Sequence, residues 1–100
     1  MTKLVYKIEW QPRAREDLRT IVRYIGKDSP TIARSFAQQL QSKTLPLTRH
    51  PELGRIGRPG LPNYVRELVV HQNHLVFYRV LHDLHTVEIL RVKHMAQQTP

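Results

Sequence analysis

The strongest constraint on this chain is a block that has no regular period. Between residues 51 and 63 stand Pro51, Pro59 and Pro62 with Gly54, Gly57 and Gly60, three of the seven prolines and three of the four glycines, and no long apolar run. Such a stretch reads as a loop. It parts a helical pattern on its N-terminal side from strand-like runs on its C-terminal side. One hundred residues supply one hydrophobic core, so both sides are expected to pack into a single domain, residues 1–100.

Residues 4–10 (Leu-Val-Tyr-Lys-Ile-Glu-Trp) are rich in β-branched and aromatic types and predict a strand. Pro12 then fits the first turn of a helix, whose apolar stripe runs through Ala14, Leu18, Ile21, Val22 and Ile25. Glu16 and Asp17 come early in it and Arg23 and Lys27 late, as the helix dipole favours. Gly26 and Ser29-Pro30 end this helix, and Ser29 caps a second one with Pro30 at its first position. Ile32, Ala33, Phe36, Ala37 and Leu40 carry the second stripe, which Pro46 should stop near Thr44. Beyond the loop, Tyr64–Val70, Leu75–Leu81 and Thr86–Val92 predict three strands joined by tight turns at residues 71–74 and 82–85. The fold class is therefore α+β, in the order β-α-α-β-β-β, with a helical hairpin packed on an antiparallel sheet.

A hairpin centred on Asp83-Leu84 places Tyr78 opposite Ile89, Arg79 opposite Glu88 and Phe77 opposite Leu90. One face then shows Leu75, Phe77, Leu90 and Val92, and the other Val76, Tyr78, Val80, Val87 and Ile89. Both are apolar, whereas a half-solvated sheet alternates. One helical hairpin covers one face, so the other is either a candidate partner surface or is covered by the 51–63 loop and the C-terminal tail.

The chain carries 16 Lys+Arg against 8 Asp+Glu, a net charge of +8. Most of the excess lies in residues 34–66, where Arg34, Lys43, Arg49, Arg55, Arg58 and Arg66 face Glu52 alone. Such a region attracts an anionic partner. No apolar run is long enough to span a membrane, and Met1–Lys7 has no secretory-signal pattern. With no cysteine, disulfides, thiolate metal sites and cysteine nucleophiles are excluded. These features point to a cytoplasmic protein.

Few residue groups suggest chemistry. His71/His74 and His82/His85 have ligand-like spacing, but the strand between them holds the pairs roughly 23 Å apart. Two ligands each are too few for zinc, so no metal and no cofactor is expected. No serine triad, Walker motif or dinucleotide fingerprint is present. Glu9, Glu67 and Glu88 read as cross-strand partners of arginine. His94, after the last strand, has the chemistry of an acid or base near neutral pH.

Several patterns then recur together. They are Trp10-x-Pro12-x-Ala14-x-x-Asp17-Leu18-x-x-Ile21-x-x-Tyr24-Ile25, Leu45-Pro46-Leu47-x-x-His50-Pro51-Glu52-Leu53-Gly54, Val65-Arg66-Glu67-Leu68, Leu75-Val76-Phe77-Tyr78-Arg79-Val80, and Val87-Glu88-Ile89-Leu90-Arg91-Val92-x-His94. In this order they resemble the RelE/ParE superfamily of bacterial type II toxins, over roughly residues 5–95. The resemblance implies a growth-arresting toxin neutralised by an acidic, ParD-like antitoxin. Leu18, Val22, Phe36, Leu75, Phe77, Arg79 and Leu90 are the expected antitoxin contacts, on the helical hairpin and the open sheet face.

The superfamily has two branches. RelE-like members cut mRNA on the ribosome; ParE-like members inhibit DNA gyrase by binding, without a catalytic site of their own. The nuclease pattern places an arginine before the Leu75-Val76-Phe77-Tyr78 run, where this chain has His74. It often adds a C-terminal tyrosine, where Met95 follows His94, or a loop glutamate, near Gly60. The Leu-Pro-Leu, His-Pro and Leu-x-Phe-Tyr-Arg-Val segments (at 45–47, 50–51 and 75–80) resemble the ParE branch more closely, which implies gyrase as target. The nuclease alternative would use His94 and His74 with Arg55 and Arg58 on the phosphate, and the ribosome with its mRNA as partner. A nucleic-acid-reading module has neither stacking aromatics nor a recognition helix here.

Overall fold

The computed structural model describes residues 5–57 and 59–95. The elements run β1 (Lys7–Trp10), α1 (Pro12–Gly26), α2 (Pro30–Thr44), β2 (Arg55–Ile56), β3 (Arg66–His71), β4 (His74–Leu81) and β5 (Thr86–His94). The punctuation acts where the sequence places it. Pro12 opens α1. The Ser29 side chain accepts a hydrogen bond from the Ile32 backbone N–H, with Pro30 opening α2. Pro46 ends α2 at Thr44, and the chain continues as a 3-10 turn over Leu45–Thr48.

The sheet order is β1-β5-β4-β3-β2. The three long C-terminal strands are antiparallel neighbours, as expected, but β1 lies parallel to β5, with Ile8 beside Val87. β2 is two residues inside the Pro/Gly loop, paired with Arg66 and Glu67. Two residues have no period to detect, so a sequence pattern cannot announce such a strand.

The helices lie on one face of the sheet. Ala14, Phe36, Leu40 and Leu47 meet Val70, Val76, Tyr78, Val87, Ile89 and Val92 in the main core. The Tyr78 hydroxyl sits at its edge, donating to the Pro51 carbonyl at 2.8 Å and accepting from the Gly54 N–H at 2.7 Å. This clips the loop to the sheet. A Cβ on Gly54 would lie 2.6 Å from the Glu67 carbonyl and 2.7 Å from the Tyr78 ring, so only glycine fits there.

The expected register of β4 and β5 holds from Leu81 to Tyr78, with Tyr78 opposite Ile89 and Arg79 opposite Glu88. It then breaks: Phe77 faces Arg91 rather than Leu90. The extra residue is a β-bulge, and it turns Val92 to the helix side, away from Leu75 and Phe77. Asp17 of α1 secures the strand at this point. Its carboxylate accepts from Arg91 Nε at 2.7 Å, from Arg91 Nη2 at 3.1 Å and from the Val92 backbone N–H at 2.9 Å. Asp17 thus serves the sheet rather than the helix dipole, for neither it nor Glu16 is in the first turn.

Candidate functional site

Three of the six histidines gather at one end of the sheet. The β3–β4 turn carries His71 and His74, and the β4–β5 register sets His74 opposite His94. The ring centroids of His74 and His94 are 4.9 Å apart, those of His71 and His74 5.9 Å. The Phe36 ring of α2 meets His71 and His74 edge-on, 4.9 Å from each. Burial, followed by the charges that His94 and His71 would carry, holds the His74 pKa below the ordinary imidazole value. The neutral form of the His74 imidazole is thereby favoured. His82 and His85, at the far end of β4, contact Tyr6 instead, whose hydroxyl lies 2.8 Å from His82 Nδ1. No group of three metal-ligating side chains with metal-binding geometry occurs among the described residues.

The structure brings together His74 and His94 but not Arg55. Arg55 is held at 2.7 Å by the buried Glu67. Glu67 faces Phe77, three residues or about 10 Å along β4 from His74, and Arg55 is one strand further out. Arg58 lies outside the described residues. The other sheet arginines are also engaged: Arg66 donates to the Gly54 carbonyl, Arg79 to Glu88 at 2.6 Å and Arg91 to Asp17. Glu67 and Glu88 are thus cross-strand partners of arginine as expected, through Arg55 and Arg79, whereas Glu9 meets Lys7 on its own strand at 3.2 Å.

The sheet face expected to stay open is closed by the chain itself. Leu75 and Phe77 are only 3% and 5% exposed, packed with Val65, Leu61 and Leu90 into a second small core. The Pro/Gly loop supplies that cover. Phe36 is likewise a core residue, 4% exposed. Of the expected antitoxin contacts, Leu18 and Val22 are half-buried on α1, Leu90 is half-buried at the second core, and Arg79 is half-exposed beside Glu88.

An open surface that the sequence did not single out lies at the other edge of the sheet. β2 pairs only with Arg66 and Glu67, so among the described residues no strand covers the outer edge of β3 from Leu68 to His71. Val69 is 55% exposed there. Between this edge and α2 runs a groove of about 540 Å³, lined by Gln38, Gln39, Ser42, Lys43, Val69 and His71 among others.

The chain matches the family described as ParE toxin of type II toxin–antitoxin system, parDE, over residues 8–99. It belongs to the ParE toxin family. Within the wider RelE/ParE superfamily it is 36% identical over 91 residues to Toxin RelE2 of Caulobacter vibrioides, covering 91% of this chain and 97% of that relative. Its fold is similar to a chain of the chromosomal ParDE system from P. aeruginosa (TM-score 0.74, 24% identity, 92% of this chain and 98% of that one). It is also similar to a chain of the RelBE2 toxin–antitoxin complex from Mycobacterium tuberculosis (TM-score 0.63, 23% identity, 96% and 98%). The ParE-family chain thus has the two-helix, five-stranded architecture of both ParDE and RelBE proteins. No helix among its described residues is long and apolar enough to cross a membrane.

Proposed function

We propose that this chain arrests growth by binding DNA gyrase in the cytoplasm, and that a cognate acidic antitoxin neutralises it. The observation that supports this reading over a nuclease one is that, among the described residues, the sheet arginines are engaged away from the histidine pair. Cleavage by an RNA 2′-hydroxyl needs a base, an acid and a cation on the developing phosphorane charge. Arg55, Arg66, Arg79 and Arg91 are each bound to a carboxylate or carbonyl elsewhere.

The antitoxin's seat in this reading is the α2–β3 groove. An extended acidic segment would add to the β3 edge at Leu68–His71, with Val69 in contact and Lys43 as counter-charge. This replaces the Leu75/Phe77 face, which the loop already fills.

The second reading, ribosome-dependent mRNA cleavage, is favoured by the closeness of His74 to His94. Induction of the chain without antitoxin separates the two. Gyrase inhibition predicts a DNA-damage response with translation initially intact, and full arrest by His94→Ala. A-site mRNA cleavage that His94→Ala abolishes would refute it.

A further inference from the structure

The charge of the chain has a second location, on the outer face of α1. Arg15, Arg19, Arg23 and Lys27 stand four residues apart and are all exposed. Lys27 caps the helix in right-handed helical geometry, so the row continues unbroken past Gly26. Successive members rise about 6 Å and the whole row spans about 18 Å. The apolar residues of α1 (Leu18, Ile21, Val22, Ile25) face the core instead.

The row keeps most of its charge. Of the two acids on α1, Glu16 meets Arg19 at 3.1 Å, and Asp17 is turned inward to Arg91. Among the described residues no carboxylate lies within ion-pair distance of Arg15, Arg23 or Lys27.

We propose that this ridge docks on the phosphodiester backbone of duplex DNA. A duplex presents a phosphate every 3.4 Å or so along each strand, so an 18 Å row of cations that winds about 120° round its helix spans several of them. Guanidinium groups suit phosphate because they bind it bidentately. A protein partner would want an apolar centre with charge at its rim, and the ridge has none. A single strand would want aromatic platforms between the cations. Tyr24, the aromatic of α1, has the Lys27 ammonium over its ring face at 6.0 Å. No base-reading element accompanies the ridge, so binding is independent of sequence and strongly dependent on salt. The inference does not depend on whether gyrase or the ribosome is the target.

The test is fluorescence anisotropy of the full chain on a 20-base-pair duplex, from 50 to 200 mM NaCl. A triple variant R15Q/R23Q/K27Q is compared with R34Q/K7Q/R49Q, which removes the same net charge from exposed positions off the ridge. Thermal melts confirm that both fold. Losing three phosphate contacts lowers the log–log salt slope by about 2.7. Wild-type affinity would then fall about 40-fold more than that of the ridge variant across this salt range. The off-ridge variant should keep most of the wild-type slope. Equal slopes for wild type and ridge variant, or equal loss in both triples, would overturn the proposal. So would tighter binding to a 20-nucleotide single strand, or a ridge variant that loses only polyglutamate binding.

Discussion

Asp17 is the clearest single point at which to break the fold. It joins α1 to the bulged strand across 74 residues of sequence, accepting two hydrogen bonds from Arg91 and one from the Val92 backbone. Side-chain exposure is 18% for Asp17 and 21% for Arg91, so solvent screens the pair only in part. Removing one partner of a buried pair costs about 3–5 kcal/mol. Allowing for the residual exposure, Asp17→Ala should cost about 3 kcal/mol, or roughly 12–24 °C in melting temperature for a chain this size. The pH dependence has a definite sign. Burial raises the Asp17 pKa, but the hydrogen bonds from Arg91 and Val92 and the positive charge of Arg91 and Lys93 outweigh it, leaving the pKa below 3.8. Its contribution is therefore fully present above the unfolded-state pKa and is lost as pH falls through the lower folded value. Urea unfolding of wild type and Asp17→Ala should show a constant gap from pH 8 to 5 that narrows below about pH 4. A gap under about 0.5 kcal/mol at pH 7, the size of an ordinary surface change, would refute the reasoning. So would a double-mutant cycle with Arg91→Ala that shows no coupling.

Three further outcomes follow from the same contacts. Tyr78→Phe removes the hydroxyl that bridges Pro51 and Gly54; urea midpoints should show a loss of about 1–3 kcal/mol. Gly54→Ala should cost at least as much, because its Cβ would meet the Glu67 carbonyl at 2.6 Å, and hydrogen exchange should show residues 51–57 opening. In an NMR titration His74 should protonate below the ordinary imidazole value. Its lowered pKa means that its stabilising contribution is full above the unfolded value near 6.5 and declines as pH falls below it. His74→Gln should therefore flatten the loss of stability between pH 7 and pH 5.

The sequence disclosed the elements whose ends are fixed locally. Pro12, Ser29-Pro30 and Pro46 mark helix boundaries because proline and a hydroxyl cap act within one turn. The β4–β5 pairing near its turn followed from hairpin geometry. What escaped depends on distant contacts. The bulge after Ile89 is stabilised where Asp17 meets Arg91, 74 residues away, and it moved Val92 to the other face. The closing of Leu75 and Phe77 under Leu61 and Val65 depends on how the Pro/Gly loop folds back, which its composition does not specify. At the candidate site, the expected register runs His94 to Asn73, and the bulge sets it opposite His74 instead. The joining of His71 and Phe36 required knowing how α2 crosses β3. Arg55 was misplaced because β2, the strand that carries it to Glu67, is too short to have a pattern.

The most direct test of the central claim uses purified gyrase, relaxed plasmid and the purified chain. The gyrase reading predicts dose-dependent loss of supercoiling, reversed by the cognate antitoxin and unchanged by His94→Ala. Full supercoiling at a saturating excess of the chain, with mRNA cleaved when the same preparation is added to programmed ribosomes, would contradict it.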